Sequence, residues 1–474
     1  RGQGQISSGK DGVCMVKKAF KYTHVGRLPE DWDCLQAIEV IDEISMGPFG
    51  SDITVSNFVS SGVPVLNGYN VSQIMLIDKF QNFVTPKKAK ELKKAVAHRG
   101  DIIVTHRGTI GQVSYIPDSS AYSEYVISQS QFRVHFNDKR VNSRFLVSYL
   151  LSPIGQKYLL ETKGHTGVPA LAQPTTNFRR LWIPLPEIAE QVSIAEALSD
   201  IDSLISSLQK LIEKKKAIKQ GTMQELLTGK KRLPGFDEEW RTYKLGELGS
   251  FDKGCGVSRA ESNTGNFPAV RYGELYTKHT DYVKQYYSCI SGDVAQTAKR
   301  VTFGDILFAA SGETKEEIGV CAAIVDRRDI FAGGDIVVFT PTTEINPIFF
   351  GTLLNMPFVQ KQKSERGQGD AVVHIHADSL SEIIISMPEK NEQEAIATVI
   401  KDFNDEIEQL ERKLAKYQQI KQGMMQELLT GRIRLVDADD KEQPKTQIFQ
   451  EKQSQPAHNQ HFDDAVMIAG IVNA

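Results

Sequence analysis

Cysteine is scarce, and the few present are not paired in spacing. Five cysteines (Cys14, Cys34, Cys255, Cys289 and Cys321) stand in 474 residues, none in a C-x-x-C arrangement. That argues against structural zinc and a disulfide framework, and fits a reducing, cytoplasmic setting. Long apolar runs are missing too, so no segment reads as a membrane span, and the first residues do not resemble a signal peptide. Net charge is only −3, which alone gives no reason to expect nucleic acid. Distribution counts for more than the sum: residues 21–186 carry a basic excess, whereas 234–388 and 436–474 carry an acidic one.

Catalytic signatures are lacking as well. Gly4-Gln5-Ile6-Ser7-Ser8-Gly9-Lys10-Asp11 has P-loop spacing, but Asp11 replaces the Ser/Thr that would hold magnesium, and no strand can precede it. Asn346-Pro347-Ile348-Phe349 and Asn355-Met356-Pro357-Phe358 approach the Asn-Pro-Pro-aromatic loop of amino-methyltransferases. Each lacks one proline and neither has a Gly-rich partner loop, so both read as helix boundaries. His374-Ile375-His376 puts two imidazoles on one strand face with no third ligand in view. The chain reads as non-catalytic.

What is present is a repeat. Glu187–Leu233 recurs as Glu389–Leu435 without a gap. Ile218-Lys219-Gln220-Gly221-Thr222-Met223-Gln224-Glu225-Leu226-Leu227-Thr228-Gly229 matches Ile420–Gly431 at every position but Thr222, which becomes Met424. Apolar residues step by four and three through Ile194, Leu198, Ile201, Ile205, Leu208 and Ile212. Ile396, Ile400, Phe403, Ile407, Leu410 and Leu414 repeat those steps. This is a coiled-coil seam, and it predicts two long helices that pair antiparallel about a pseudo-two-fold. Pro186 and Pro388 suit helix starts, and Gly229 and Gly431 suit helix stops. Gly221 and Gly423 interrupt good helix formers in both copies, which predicts a close helix approach or a kink.

The repeat extends into the blocks before each helix. Arg27-Leu28-Pro29 followed by Trp32 matches Arg232-Leu233-Pro234 followed by Trp240. Short β-rich runs then follow in matched order. They are Val63–Leu66, Gly100–Thr105 and Phe132–Val134 in the first block, and Phe267–Val270, Gly304–Ala309 and Asp335–Phe339 in the second. A helix is expected near Arg144–Leu160 and Pro347–Lys363, then a strand at Leu181–Pro184 and Ile383–Ser386. The resulting class is α+β: two strand-rich domains (21–186 and 234–388) separated by two long antiparallel helices (187–233 and 389–435). An N-terminal extension (1–20) and a polar tail (436–474) flank them, the tail reading as disordered linker before the apolar Phe462–Ala474.

The chain resembles the specificity subunit of type I restriction–modification systems. The resemblance rests on Gly26–Trp32, on Pro184–Gln191 and above all on the doubled Gln-Gly-x-Met-Gln-Glu-Leu-Leu-Thr-Gly at Gln220–Gly229 and Gln422–Gly431. It covers about Lys21–Leu435; Met387–Gln393 departs from the Pro-Leu-Pro form but keeps Pro388, Glu389 and Gln393. It implies two target-recognition domains on a spacer coiled coil, bound to double-stranded DNA and to two modification subunits. Those subunits would hold S-adenosylmethionine, and restriction subunits would use ATP and Mg2+. No cofactor is expected in this chain itself. A free-standing bipartite repressor, or the recognition part of a single-chain restriction–methylation enzyme, are the other readings.

For DNA contact, loops with Arg/Lys, Asn/Gln and Ser/Thr are the candidates. In the first domain these are Asn67, Tyr69, Lys87, Lys88, Thr105, His106, Arg107 and Thr109, with His165 and Thr166 weaker. In the second they are Arg271, Tyr272, Lys299, Arg300, Ser311, Arg366, Gln368 and His374. The expected partner surface is the Met/Leu end of each helix: Met223, Leu226, Leu227, Met425, Leu428 and Leu429. Packing against the chain's own domains is the competing explanation for these six.

Overall fold

The computed structural model describes residues 19–161, 168–369 and 372–435. The P-loop-like stretch, His165, Thr166 and the tail lie outside them. The chain divides into two compact units, one running to Ser207 and resuming at Leu414, the other spanning Leu208–Lys413. Each unit holds one strand-rich domain and half of each long helix.

The long helices are α1 (Ile188–Leu226) and α2 (Lys390–Leu428), each 39 residues, or about 58 Å at 1.5 Å per residue. Both run unbroken to a left-handed glycine beyond the last turn, Gly229 and Gly431 at φ +67, as a helix C-cap requires. In the first unit the opening turns of α1 (Ile194, Ala195, Leu198) share a core with the closing turns of α2 (Leu428, Leu429). In the second, Met223, Leu226 and Leu227 of α1 share one with Ile396, Ala397 and Ile400 of α2. Within each unit a beginning lies beside an end, so the pairing is antiparallel. All seam positions are buried or half-buried. Lys421–Asp202 (2.6 Å) in the first unit, and Lys215–Glu406 (2.7 Å) with Lys216–Glu411 (2.8 Å) in the second, border the seam. Lys216–Glu411 is exposed and the other two are partly exposed, pairs worth about 0–1 kcal/mol each.

The glycine expectation needs correcting. A Cβ at Gly221 or Gly423 would meet nothing within 4 Å, and both helices continue through them. No close approach among the described residues explains these two glycines.

In the first domain an antiparallel sheet runs Val113–Tyr115, Ile102–Thr105, Gln131–Phe136, Ile41–Met46. In the second, the corresponding sheet runs Gly249–Lys253, Ile336–Pro341, Ile306–Ala309, Cys321–Ala323, Asp281–Tyr282. A further sheet of four strands includes Phe267–Val270 and Ser288–Ile290. The repeated Gly-Asp-Ile opens the central strand in both. Gly100 (φ +88) and Gly304 (φ +96) make the turn. Asp101 then accepts from the His98 amide (3.0 Å) and Asp305 from the Thr302 amide (2.7 Å), an aspartate closing its own turn.

The single helix expected near Arg144–Leu160 is two, Ser143–Leu151 and Pro153–Leu159, and its counterpart is Pro347–Leu354 and Pro357–Arg366. Pro153 and Pro357 cannot donate to the preceding turn and force the residue before them out of helical geometry. Each therefore starts a new helix. Asn346 caps its helix through the Ile348 and Phe349 amides (3.0 and 3.2 Å), which settles the two Asn-Pro-like segments as helix boundaries. The first-domain run at Val63–Leu66 is strand only over Val63–Pro64.

Two repeated devices join domain to helix. Gln191 accepts from the Asn142 amide (2.8 Å) and donates to Pro186 O (2.9 Å); Gln393 does the same with Asn346 (3.0 Å) and Pro388 (2.9 Å). The second device is a Trp–Glu–Arg knot. Trp32 Nε1 donates to Glu190 (3.1 Å), which Arg434 grips with two bonds of 2.6 and 2.7 Å. Trp240 donates to Glu392 (3.2 Å), gripped by Arg232 at 2.6 Å twice. The gapless repeat pairs Arg232 with Arg434 (434 − 232 = 202), so the same repeat residue closes both knots, whereas Arg27, its match in the Arg-Leu-Pro opening, lies over Phe20.

Candidate nucleic-acid interface

Three loops come together in each domain. In the first, the stretch after Val63–Pro64 carries Asn67. The exit of strand Ile102–Thr105 carries His106–Thr109. The segment near Ala170 returns beside it. Arg107 and Ala170 form an antiparallel bridge, and the Gly108 amide donates to Pro169 O (2.8 Å). Gln131 Nε2 reaches Asn67 O (3.2 Å), and a Cβ on Gly68 would stand 3.4 Å from Thr109 Oγ1, so the first loop abuts the second.

The second domain repeats this with a constant offset. Ser311 pairs with His374 as Arg107 pairs with Ala170, since 311 − 107 and 374 − 170 are both 204. Gln368 and His374 exchange backbone bonds of 2.9 and 2.7 Å, and Tyr276 Oη donates to Ser311 O (2.9 Å). Arg271 occupies the place of Asn67, again 204 apart.

Side chains within these clusters differ in what they leave free. Thr105 and Ser311 are buried, and Ser311 Oγ is bonded to His374 Nδ1 (2.9 Å). Neither hydroxyl meets a groove. Asn67 spends its Oδ1 on the Tyr69 amide (2.9 Å) and the Asn70 amide (3.4 Å), an Asx turn rather than a free amide. Thr109 Oγ1 donates to Gln112 (2.7 Å). Burial, with the Arg107 charge beside it, holds the His106 imidazole below its ordinary value, so it adds no positive charge near neutral pH. Arg107 is exposed and forms no ion pair among the described residues; Tyr69 is also exposed.

Lys87 and Lys88 sit on a separate short helix, Pro86–Glu91, with Lys88 paired to Glu91 at 3.2 Å. Lys299 and Arg300 are paired with Asp252 and Asp329. Such exposed pairs exchange readily with other anions, since they contribute little. Arg366 is tied to Gln362 O (2.9 Å) at its helix end, and Tyr272 is exposed beside Arg271. The anchors behind these loops, Asn70, Glu274 and Ser288, were not anticipated. All three are buried polar residues, and buried polarity is the one signal a linear pattern does not carry.

The six Met/Leu positions are the clearest correction. Met223, Leu226, Leu227, Leu428 and Leu429 are buried at 5% exposure or less. Met425 packs half-buried against the first unit's core. These side chains are core; the exposed neighbours in both copies are Gln220, Gly221 and Gln224 with Gln422, Gly423 and Gln426. Beside them each unit has a cleft with the same helix lining. It measures about 950 Å³ in the first unit with Lys421, Gln422 and Met425, and about 710 Å³ in the second with Lys219, Gln220 and Met223.

Comparison with known proteins adds the remaining finding. The model for the type I restriction modification DNA specificity domain matches residues 59–220 and 237–422. The MjaVIII type I restriction enzyme specificity subunit of Methanocaldococcus jannaschii is 24% identical over 438 residues, 88% of this chain and 96% of that one. The crystal structure of a type I restriction-modification system S subunit from M. genitalium has a similar fold. Its TM-score is 0.53 at 15% identity, covering 84% of this chain and 96% of that one. A chain from a study of complex assembly and conformational transition in the type I R-M system matches at TM-score 0.52, with 15% identity and 86% and 99% coverage. Among the described residues, no helix is long and apolar enough to cross a membrane.

Proposed function

The chain belongs to the type I restriction modification DNA specificity family and is the specificity subunit of such a system, and from that premise we propose how it divides its work. Each strand-rich domain reads one half of a bipartite, asymmetric DNA site in the cytoplasm, and the paired helices set the bases left unread between the halves. One observation carries this. The same three-loop cluster occurs twice at a constant offset, but with different side chains at matched positions: Asn67 against Arg271 and Arg107 against Ser311. One scaffold with two sets of readers implies two different half-sites.

Replacing residues 21–186 with the same block of another family member is expected to change one half-site and leave the other intact. Methylome sequencing of a host carrying the chimera reads this directly. If both halves changed, or neither, the modular reading would fail.

The chain itself carries no reaction in this proposal and holds no cofactor. Two modification subunits bring S-adenosylmethionine and the methylating site, and restriction subunits bring ATP and Mg2+. Their docking surface is the exposed repeat around Gly221 and Gly423. A glycine inside a helix costs about 1 kcal/mol relative to alanine. Nothing among the described residues needs the missing Cβ, while a partner pressed against the helix would. Gly221→Ala is expected to stabilise the isolated chain by about 1 kcal/mol. Gly221→Trp is expected to halve the number of modification subunits that co-purify, measured by mass photometry. Two subunits retained on Gly221→Trp would rule this surface out.

A further inference from the structure

We propose that Arg271 reads a guanine in the half-site met by the second domain. The inference deepens the DNA-recognition reading and rests on it.

The Arg271 side chain is held from behind. Arg271 Nε donates to Ser288 Oγ (3.2 Å) and lies 3.5 Å from Glu274 Oε1, while the Arg271 amide donates to Glu274 Oε2 (3.2 Å). Ser288 Oγ in turn donates to Glu274. Glu274 and Ser288 are both buried, at 5% and 1% exposure. Burial works against the Glu274 charge, yet His279, Ser288 and Arg271 around it outweigh that and hold the carboxyl below its usual range. The anchor therefore stays ionised and keeps hold of the arginine.

Only the inner edge of the guanidinium is engaged. Its two Nη groups have no hydrogen-bond partner among the described residues, and the side chain is 30% exposed. It lines an open cavity of about 330 Å³ with Arg259 and Tyr287. An arginine fixed at Nε with both outer amines free presents the parallel pair of donors that matches guanine O6 and N7. Immobilising it beforehand removes much of the ordering cost of that contact.

The other cations nearby lack this arrangement. Lys299 and Arg300 are paired to Asp252 and Asp329, and Lys278 lies over the Tyr287 ring. The matched positions of the first domain do not repeat it. At the positions 204 residues earlier it carries Asn67, Asn70 and Val84 in place of Arg271, Glu274 and Ser288. The guanine contact belongs to one half-site alone.

The test is selection from randomised duplex DNA by the full chain with the subunits that co-purify with it, comparing wild type, Arg271→Ala and Arg271→Lys. Wild type is expected to enrich a bipartite motif with guanine at one position favoured roughly tenfold or more. In Arg271→Ala the preference at that position falls to about 1, with every other position retained. Arg271→Lys keeps overall affinity but loses most of the preference, because a point charge lacks the fork. An unchanged motif in Arg271→Ala overturns the proposal. So does weaker binding to all sequences with an unchanged motif, which marks a phosphate contact instead. A wild-type protein that enriches no bipartite motif overturns the recognition reading itself, a separate and distinguishable failure.

Discussion

Arg434→Ala is expected to cost the first unit about 3–5 kcal/mol, the penalty for leaving one member of a buried ion pair alone. Arg434 and Glu190 are 8% and 1% exposed at their side chains. The guanidinium lies over the Trp32 ring at 5.6 Å and also holds Asp31 through two bonds of 2.8 Å. Without it, Glu190 keeps only the Trp32 Nε1 bond and the Leu435 amide at 3.3 Å. Arg434→Lys is expected to recover part of the loss, since lysine restores charge without the bidentate geometry. Hydrogen exchange resolves the effect: amides in residues 19–161 lose protection while those in 208–369 do not. Arg232→Ala, the matching change at Glu392, is expected to do the reverse. Equal loss in both units from either variant would show that the knots do not act locally.

The second large effect is a pH dependence seated in the other unit. Lys363 is fully buried, donates to Gly319 O (2.7 Å) and lies 5.9 Å over the Phe308 ring. Burial pushes its ammonium down to about 8, with Cys321 beside it partly opposing. Below pH 8 the lysine is charged in both states, and the folded unit bears the desolvation cost. Between about pH 8 and 10.5 the unfolded chain holds a proton that the folded one has released, so stability rises with pH. At 1.36 kcal/mol per unit the rise is about 3 kcal/mol. Urea midpoints of wild type and Lys363→Met across that range check it. The difference between them is expected to shrink steadily as pH rises, and a constant difference would assign Lys363 no part in it.

These effects differ in how far the sequence foretold them. The helices and seam were legible because each repeats a local period, and the strand order because Gly-Asp-Ile recurs at a fixed offset. The helix breaks at Pro153 and Pro357 were written in the sequence but masked by the apolar continuity around them. Lys363 was not legible: the first domain has Leu159 at the matching place (363 − 204), buried at 5%, and an ordinary pattern puts lysine in water. The loop residues were the hardest. Asn67 looks like a base-reading amide until its Oδ1 is found closing a turn. Lys299 and Arg300 look free until Asp252 and Asp329, distant in sequence, are found against them. Arg271 differs from those two only by what is buried behind it.

The arginine that closes the first knot comes from the end of the described residues, and is therefore among the last of them to be synthesised. Among the described residues the second unit is one continuous stretch, Leu208–Lys413, whereas the first needs Leu414 onward to complete it. Domains fold as they leave the ribosome when their residues are all available. The unit begun first is therefore the unit finished last: Glu190 waits for Arg434 through the making of more than two hundred intervening residues. A nascent chain stalled before α2 ends would present a finished second unit and an open first one. Joining the old termini and cutting the chain between Lys413 and Leu414 would make the described residues of each unit one continuous stretch, the first unit completed before the second.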